Sequence, residues 1–528
     1  MTDTKDIKKV TSVDRATIEH TATNSDATRL EQLGIDSQLE RSFSLPSLIG
    51  LCLCLMATWE ASTAVLAQAL LSGGAPCLFY NFLLTFLCSL AIGASLAEIA
   101  SIYPTAGGQY HWVTALFPAW GRKHMGWVTG WISIGGQIVF TASAAMASGL
   151  MIQGLIILNK DDYTGARWQG MLIYWAFLAY ATAMNIWGHR SLPTANLISG
   201  ALHVVGFVAA FVVLAVMADK NSARFVYVQV QNSTGWSSDG VAWMVGLLST
   251  VYPFLGYDAA CHLAEEIPHA ARNVPLAIMG SIGLNGLMGL VFATMILFST
   301  GPLESILATP TGFPYIQIFL DVTNSYAAAT VLPLIVITIA MAATVAGITS
   351  TSRTLMAFAR DSATPFSGFL SKVDQREAIP TRAIWTIIAL QMLLGFIYLA
   401  SSTAFNAILS MAIIGMYLSY LFPIIAMLLG GRSRLKASDY GPFRLGKRFG
   451  VFLNVVSVCW MTVCVLFSAF PTVMPVTPTN MNYSSVVILG WLLFGLAYYV
   501  ISGRHKFQMP VVGAGVVIGL PLTLDVGA

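Results

Sequence analysis

Apolar residues run along this chain in long blocks separated by short polar stretches. A helix needs about 20 mainly apolar residues to cross the hydrocarbon core of a bilayer. Windows of that size predict twelve spans. They cover residues 48–71, 77–100, 126–157, 169–187, 193–217, 242–262, 276–299, 327–351, 382–400, 405–430, 450–470 and 484–502. The pattern therefore predicts an all-α, polytopic membrane protein.

The two ends of the chain differ from these blocks. Residues 1–42 are polar and charged, and they lack the short apolar core of a signal peptide. We expect a disordered cytoplasmic tail there, then a twelve-helix domain over residues 43–502. Residues 503–528 are expected to form a cytoplasmic C-terminal tail. Their apolar part, 509–528, is interpreted as loosely packed, with a thirteenth span or an interfacial segment as the alternatives.

Lysine and arginine are distributed unevenly over the connecting segments. If both termini are cytoplasmic, 23 of the 27 basic residues lie on the cytoplasmic side, as the positive-inside rule requires. Two N-glycosylation sequons, at Asn232 and Asn482, then fall on external loops. Asn232 is the better candidate, because Asn482 lies close to the membrane.

Composition supports the membrane assignment and excludes other classes. The 528 residues are 56% hydrophobic and 10% charged, whereas a soluble domain carries about 25% charged residues. A net charge of +3 does not favour nucleic-acid binding. The seven cysteines lack metal-ligand spacing, and the glycine-rich stretches lack the lysine of a phosphate-binding loop. We expect no metal, no cofactor and no enzymatic activity.

Three ionisable residues lie deep in predicted spans: Glu60 in the first, His203 in the fifth and Asp258 in the sixth. An ionisable group near the bilayer midplane costs about 2.5 kcal/mol or more, so it normally faces a partner or a water-filled cavity. Each could be a hydrogen-bonded group of a helix bundle. For Glu60, at the centre of "ATWEAST" (57–63), we favour a functional role.

The sixth span contains a predicted break. Its sequence "STVYPFLGYDAA" (249–260) places Pro253 and Gly256 inside the apolar run. Proline removes an amide donor and glycine loosens the helix, so we expect the helix to break between Thr250 and Asp258. Backbone groups freed by such a break can hold a polar ligand at membrane depth. The centre of the first span has no proline or glycine, so composition predicts no break there.

Three segments resemble signatures of the amino acid–polyamine–organocation permeases, most closely their fungal amino acid/choline/GABA branch. They are "EIASIYPTAGGQYHW" (98–112), "STVYPFLGYDAACHLAEEIPHAARNVPLAI" (249–278) and "RDSATPFSGFLSKVDQREAIP" (360–380). The resemblance runs from about residue 40 to 505. It implies a leucine-transporter-like fold: two inverted five-helix repeats, about 48–217 and 242–430, plus two C-terminal helices at about 450–502. It also implies a substrate site between unwound parts of spans one and six.

Carried over to this chain, the resemblance implies a set of substrate-binding residues. They are Thr58, Trp59, Glu60, Ala61, Ser62, Thr250, Tyr252, Phe254 and Asp258. The glycine-rich triplet that exposes amides to a substrate carboxylate in the family falls on Trp59-Glu60-Ala61. His203 falls where some members carry a lysine that replaces a sodium ion, which favours proton coupling. Glu60, His203 and Asp258 are therefore the candidates for carrying the proton.

These residues favour a small cationic or amino-bearing solute. The carboxylate of Glu60 would repel a substrate carboxylate and attract an ammonium, and the rings of Trp59 and Tyr252 could add cation–π attraction. The sequence thus predicts a permease for an amino acid, choline, GABA or another amine, driven by protons. The resemblance implies the plasma membrane rather than the vacuole. An exporter of such a metabolite and a non-transporting nutrient sensor stay open as alternatives. The scattered polar residues do not supply the continuous polar lining of a channel.

Overall fold

A computed structural model describes residues 42–400, 404–478 and 480–510. Within these ranges the chain forms helices and connecting loops, with no β-strand. The predicted N-terminal tail, apart from residue 42, and the apolar part of the predicted C-terminal tail from residue 511 lie outside the described residues. The helical structure continues past residue 502 through Arg504–Lys506.

The described chain contains thirteen α-helices of eight or more residues. They are α1 (Leu45–Met56), α2 (Thr58–Ile102), α3 (Gln109–Leu116), α4 (Arg122–Asn159), α5 (Arg167–Ile186), α6 (Leu192–Met217), α7 (Ala270–Phe298), α8 (Pro314–Thr323), α9 (Tyr326–Arg360), α10 (Thr381–Ala400), α11 (Ala404–Ala426), α12 (Lys447–Ser468) and α13 (Ser484–Tyr498). Shorter helical segments lie between α6 and α7 and account for the sixth predicted span.

Ten segments of the described chain are long and apolar enough to cross a membrane. They account for eleven of the twelve predicted windows, because the first two windows fall in one stretch, Leu45–Ile102. Within that stretch α2 bends at Gly74, whose φ of 70° and ψ of −158° are not helical. The twelfth window, 169–187, is the helix α5, which is less apolar than the others. The all-α, polytopic prediction is confirmed.

The first span is broken, although its composition gave no sign of it. α1 ends at Met56, Ala57 adopts a left-handed conformation (φ 45°, ψ 53°), and α2 begins at Thr58. A left-handed alanine costs about 1 kcal/mol or more, so surrounding contacts must hold it. Those contacts come from another helix and are described with the site below.

The sixth span is broken where the sequence predicts it. A short helix, Leu248–Val251, runs into a 3₁₀ turn at Tyr252–Phe254, and helix resumes only at Ala259–His262. Gly256, between them, has a φ of 95°. A Cβ atom there would approach the ring of Phe140 to 2.8 Å, so both conformation and space require glycine.

Ion pairs close one of the two ends of the helix bundle. We call the end that carries residues 43 and 507 the tail end, and the opposite end, with residues 219–238, the loop end. At the tail end three buried carboxylates pair with arginines: Glu266 with Arg353, Glu265 with Arg360, and Glu98 with Arg432. These pairs tie the sixth span to α9, and α2 to the segment after α11. The described structure is therefore closed by ionic contacts at the tail end.

Candidate functional site

A cavity of about 40 Å³ lies beside the break of the first span. Its walls come from α1, α2, α4, α9 and the 3₁₀ turn of the sixth span. The described residues that line it are Leu55, Met56, Ala57, Glu60, Ala61, Ala64, Phe140, Ala144, Ala147, Met151, Tyr252, Val336, Ala340 and Ala343. Glu60 is the only charged residue among them, so the cavity is an apolar chamber with one carboxylate.

Glu60 is paired with His203 on α6. Nδ1 of His203 lies 2.7 Å from Oε1 of Glu60, and the two residues are 0% and 1% exposed, respectively. The other carboxylate oxygen, Oε2, and the other ring nitrogen, Nε2, are buried without a hydrogen-bond partner in the described structure. The structure thus brings together two of the three proton-carrier candidates and leaves one free acceptor on Glu60.

Asn285 on α7 holds the break between α1 and α2. Its Oδ1 accepts from the backbone N–H of Thr58 at 3.1 Å, and its Nδ2 donates to the carbonyl of Leu53 at 3.2 Å. The hydroxyl of Thr58 also donates to the backbone carbonyl of Asn285 at 2.5 Å. One side chain therefore satisfies backbone groups on both sides of the break, which explains how left-handed Ala57 is stabilised without glycine.

Two aromatic residues face the cavity. Tyr252 is held by a hydrogen bond of 2.8 Å between its hydroxyl and that of Ser143 on α4. The Phe140 ring packs against it edge to face, with 5.9 Å between centroids. These rings supply the aromatic surface that was expected from Trp59 and Tyr252.

Trp59 does not line the cavity. Its ring lies among α6 and α7, with centroids 5.1 Å from Phe292, 6.3 Å from His203 and 6.4 Å from Phe207. Consecutive residues of an α-helix point about 100° apart around its axis. Trp59 therefore points away from the cavity that Glu60 faces. The ring of Trp59 thus lies outside the lining of this cavity, and its cation–π contact with a substrate stays a prediction.

Asp258 belongs to a separate polar cluster. Its Oδ1 accepts from the Tyr420 hydroxyl at 2.6 Å, and its Oδ2 accepts from Nε2 of Gln109 at 2.7 Å. Nε2 of His262 lies 3.2 Å from the same Oδ2. This carboxylate is fully occupied within the protein and lies outside the cavity that Glu60 lines.

The remaining sequence candidates have structural partners. Ser62 donates to the carbonyl of Thr58 at 2.6 Å, and the hydroxyls of Thr250 and Thr85 lie 3.1 Å apart. Phe254 packs against the rings of Phe82 and Phe86. Of the nine substrate-binding candidates, the structure places Glu60, Ala61 and Tyr252 on the cavity wall.

A wider vestibule of about 350 Å³ lies toward the loop end. Ala64 lines both spaces, so they adjoin. The polar groups among the described residues of the vestibule are uncharged and include Gln68, Gln153, Thr311 and Asn406. Of the described lining residues, Glu60 would therefore be the first charged one that a solute meets on entering from the loop end.

The two sequons lie in different surroundings. Asn232 is partly exposed, and its Nδ2 donates to the Trp236 carbonyl and to Asp239. Nδ2 of Asn482 donates to the carbonyls of Ser468 and Phe470 at 2.8 and 3.0 Å, at the end of α12. The side-chain amides of both asparagines are thus engaged within the protein, and glycosylation of either stays a prediction.

Two residues at the site were missed from the sequence. Asn285 is a lone amide in the apolar run 276–299, and that isolation was the only available signal. Phe140 lies in an apolar span and gives no such signal. Neither could be placed beside Ala57 or Tyr252 without the tertiary contacts between α7, α4 and the two broken spans.

Comparisons with known proteins agree on one family. The family description "amino acid permease" matches residues 43–494. The choline transporter of Saccharomyces cerevisiae is 31% identical over 472 residues, which cover 89% of this chain and 83% of that protein. Amino-acid permease BAT1 of Arabidopsis thaliana is 30% identical over 505 residues, covering 92% and 96%. Amino-acid permease 2 of Neurospora crassa is 28% identical over 498 residues, covering 93% and 90%.

Proposed function

This chain belongs to the amino acid permease family within the amino acid–polyamine–organocation superfamily, and from that premise we propose that it is a proton-coupled carrier of a small amine or amino acid. It is a multi-pass membrane transporter and not an enzyme. The single observation that carries the substrate proposal is the free Oε2 of Glu60, the one charged side chain among the described residues of the cavity wall. A buried carboxylate of this kind is a counter-charge for an ammonium group.

The shape of the described state supports alternating access. A vestibule of about 350 Å³ adjoins the cavity from the loop end, whereas buried ion pairs tie the helices together at the tail end. The cavity itself, about 40 Å³, is too small for an amine and must widen to admit one. Transport then requires the ion pairs at the tail end to separate while the vestibule closes.

The Glu60–His203 pair is the proposed proton carrier. The two groups share one hydrogen bond of 2.7 Å and are shielded from water, so adding or removing a proton changes the net charge beside the substrate. Proton binding and substrate binding are thereby coupled through one carboxylate. Asp258, with all its contacts inside the protein, would act in helix positioning.

We place the loop end outside the cell and both termini in the cytoplasm, in the plasma membrane. The basic residues of the connecting segments support this orientation, as does the sequon at Asn232. With this orientation the described state opens outward and the proposed direction is uptake. Protease or antibody access to tags at each terminus in intact cells tests the orientation.

Transport by the purified full-length chain in proteoliposomes tests the function. Labelled choline, GABA, lysine, proline and putrescine are offered with and without an inward proton gradient, and accumulation above equilibrium is expected for at least one. Glu60→Gln should abolish that accumulation, whereas Glu304→Gln, the same change at an exposed position, should not. Saturable accumulation that ignores the proton gradient would refute the coupling. Absence of any flux would favour a sensor.

A further inference from the structure

The break of the first span leaves no free donor for a substrate carboxylate at Thr58. A helix N-terminus normally attracts anions, because its first N–H groups lack partners. Here the N–H of Thr58 donates to Oδ1 of Asn285 at 3.1 Å, and both residues are fully buried. Glu60 lies in the first turn of the same helix, where its own negative charge balances the helix dipole.

At the second break, three donors have acceptors within the protein. The N–H of Gly256 points at the hydroxyl of Tyr420, 3.4 Å away, and the N–H of Leu255 donates to the carbonyl of Tyr252. The hydroxyl of Tyr252 is engaged by Ser143. These three donors are therefore already engaged by protein acceptors.

The charges around the site also disfavour a ligand that carries a carboxylate. No lysine or arginine is among the described residues that line the cavity or the vestibule. The nearest basic side chain, His203, is already bonded to Glu60. A substrate carboxylate would thus enter beside the Glu60 carboxylate with no basic side chain among the described lining residues to pair with it. Two like charges about 4 Å apart repel by about 1 kcal/mol even in water and by more in a protein interior, which disfavours binding.

The walls define the rest of the ligand. Four alanines, Ala144 and Ala147 on α4 and Ala340 and Ala343 on α9, contribute small apolar side chains to the cavity wall. Such walls match methyl or methylene groups around a positive nitrogen, and the rings of Phe140 and Tyr252 can contact that nitrogen.

Resting on the function proposed above, we propose that this carrier selects organic cations that have no carboxylate, and that Asn285 enforces the selection by occupying the backbone amide at the break of the first span. Asn285 is a specificity-determining residue that acts through Thr58. This excludes α-amino acids, betaines and GABA as preferred substrates.

Pairs of solutes that differ by one carboxylate test the proposal. Choline is compared with glycine betaine, cadaverine with lysine, and agmatine with arginine, as ligands of the purified full-length chain in lipid nanodiscs. We expect each cation to bind about tenfold or more tightly than its carboxylate twin. Equal binding of the twins, or tighter binding of the amino acids, would overturn the selection. If no solute binds, the carrier function itself is refuted, and the selection with it.

Variants of Asn285 and Glu60 test the mechanism of selection. Asn285→Ala frees the N–H of Thr58 and should reduce the preference for the cation in each pair. Asn285→Asp keeps an acceptor for that N–H and should retain the preference, so it distinguishes selection from general damage to the break. Glu60→Gln should weaken the cations about tenfold without weakening their twins, and Glu304→Gln should change neither. An unchanged preference in folded Asn285→Ala would refute the role of Asn285.

Discussion

The buried ion pair between Glu266 and Arg353 gives the sharpest stability prediction. Nε and Nη2 of Arg353 donate to the two carboxylate oxygens at 2.7 and 3.3 Å, and the side chains are only 2% and 6% exposed. Glu266→Gln keeps the shape of the side chain but leaves the guanidinium buried without its counter-charge. Breaking a buried pair from one side costs about 3–5 kcal/mol.

The chain contains a matched control for this change. Arg190 and Glu377 form an ion pair of 3.0 Å, but their side chains are 78% and 39% exposed. An exposed pair contributes about 0–1 kcal/mol, so Glu377→Gln should have little effect. The same chemical substitution is thus made once in a buried pair and once in an exposed one.

Thermal unfolding in detergent measures both variants. For a chain of 528 residues, 1 kcal/mol corresponds to about 1 °C in Tm, so Glu266→Gln should lower Tm by about 3–5 °C and Glu377→Gln by about 1 °C or less. The double variant Glu266→Gln with Arg353→Met removes both charges and should recover part of the loss. Equal shifts for the two single variants, or no recovery in the double variant, would show that the pair at the tail end does not contribute as argued.

Three further predictions concern other parts of the chain. Burial raises the pKa of Asp361 from 3.8 to about 7, although the Tyr110 hydroxyl opposes this shift, so the folded chain binds this proton more tightly than the unfolded chain. Stability should therefore fall as pH rises from about 4 to 7, and Asp361→Asn should flatten that part of a Tm-against-pH curve; parallel curves would contradict it. The backbones of Gly136 and Gly415 meet so closely that a Cβ on Gly136 would lie 2.7 Å from the carbonyl carbon of Gly415, and Gly136→Ala should cost about 1–3 kcal/mol, measured as a lower Tm than that of Gly280→Ala, where the space is open. Asn232→Gln should remove any glycan shift on a gel, and a glycan that persists would assign it to another residue.

The spans could be predicted because hydropathy acts locally. Each apolar block must bury its backbone hydrogen bonds in a helix, so the windows follow from composition alone. The break of the sixth span is equally local, since Pro253 and Gly256 disfavour continuous helix by their own chemistry. The break of the first span could not be found this way, because left-handed Ala57 is stabilised by Asn285, more than 200 residues away in sequence.

The ionisable residues of the site could be predicted from the sequence, but the positions of their side chains could be predicted only in part. Glu60 and His203 can be identified from the sequence because an ionisable group inside a membrane span is costly and therefore rare. Which face of a helix points into a cavity depends on packing, so Trp59 and Asp258 were placed with Glu60 although they point elsewhere. Pairing Glu60 with His203 required the tertiary structure, because 143 residues separate them.

The side-chain amide of Asn285 limits how the two parts of the first span can move relative to each other. It bonds to Leu53 before the break and to Thr58 after it, so the two pieces of the first span are fastened to each other and to α7. A broken helix can act as a hinge, but here hydrogen bonds from Asn285 on α7 hold the break in place. If the first span rotates during transport, α7 must rotate with it. The chain must then bend at other positions, such as Gly74 in α2.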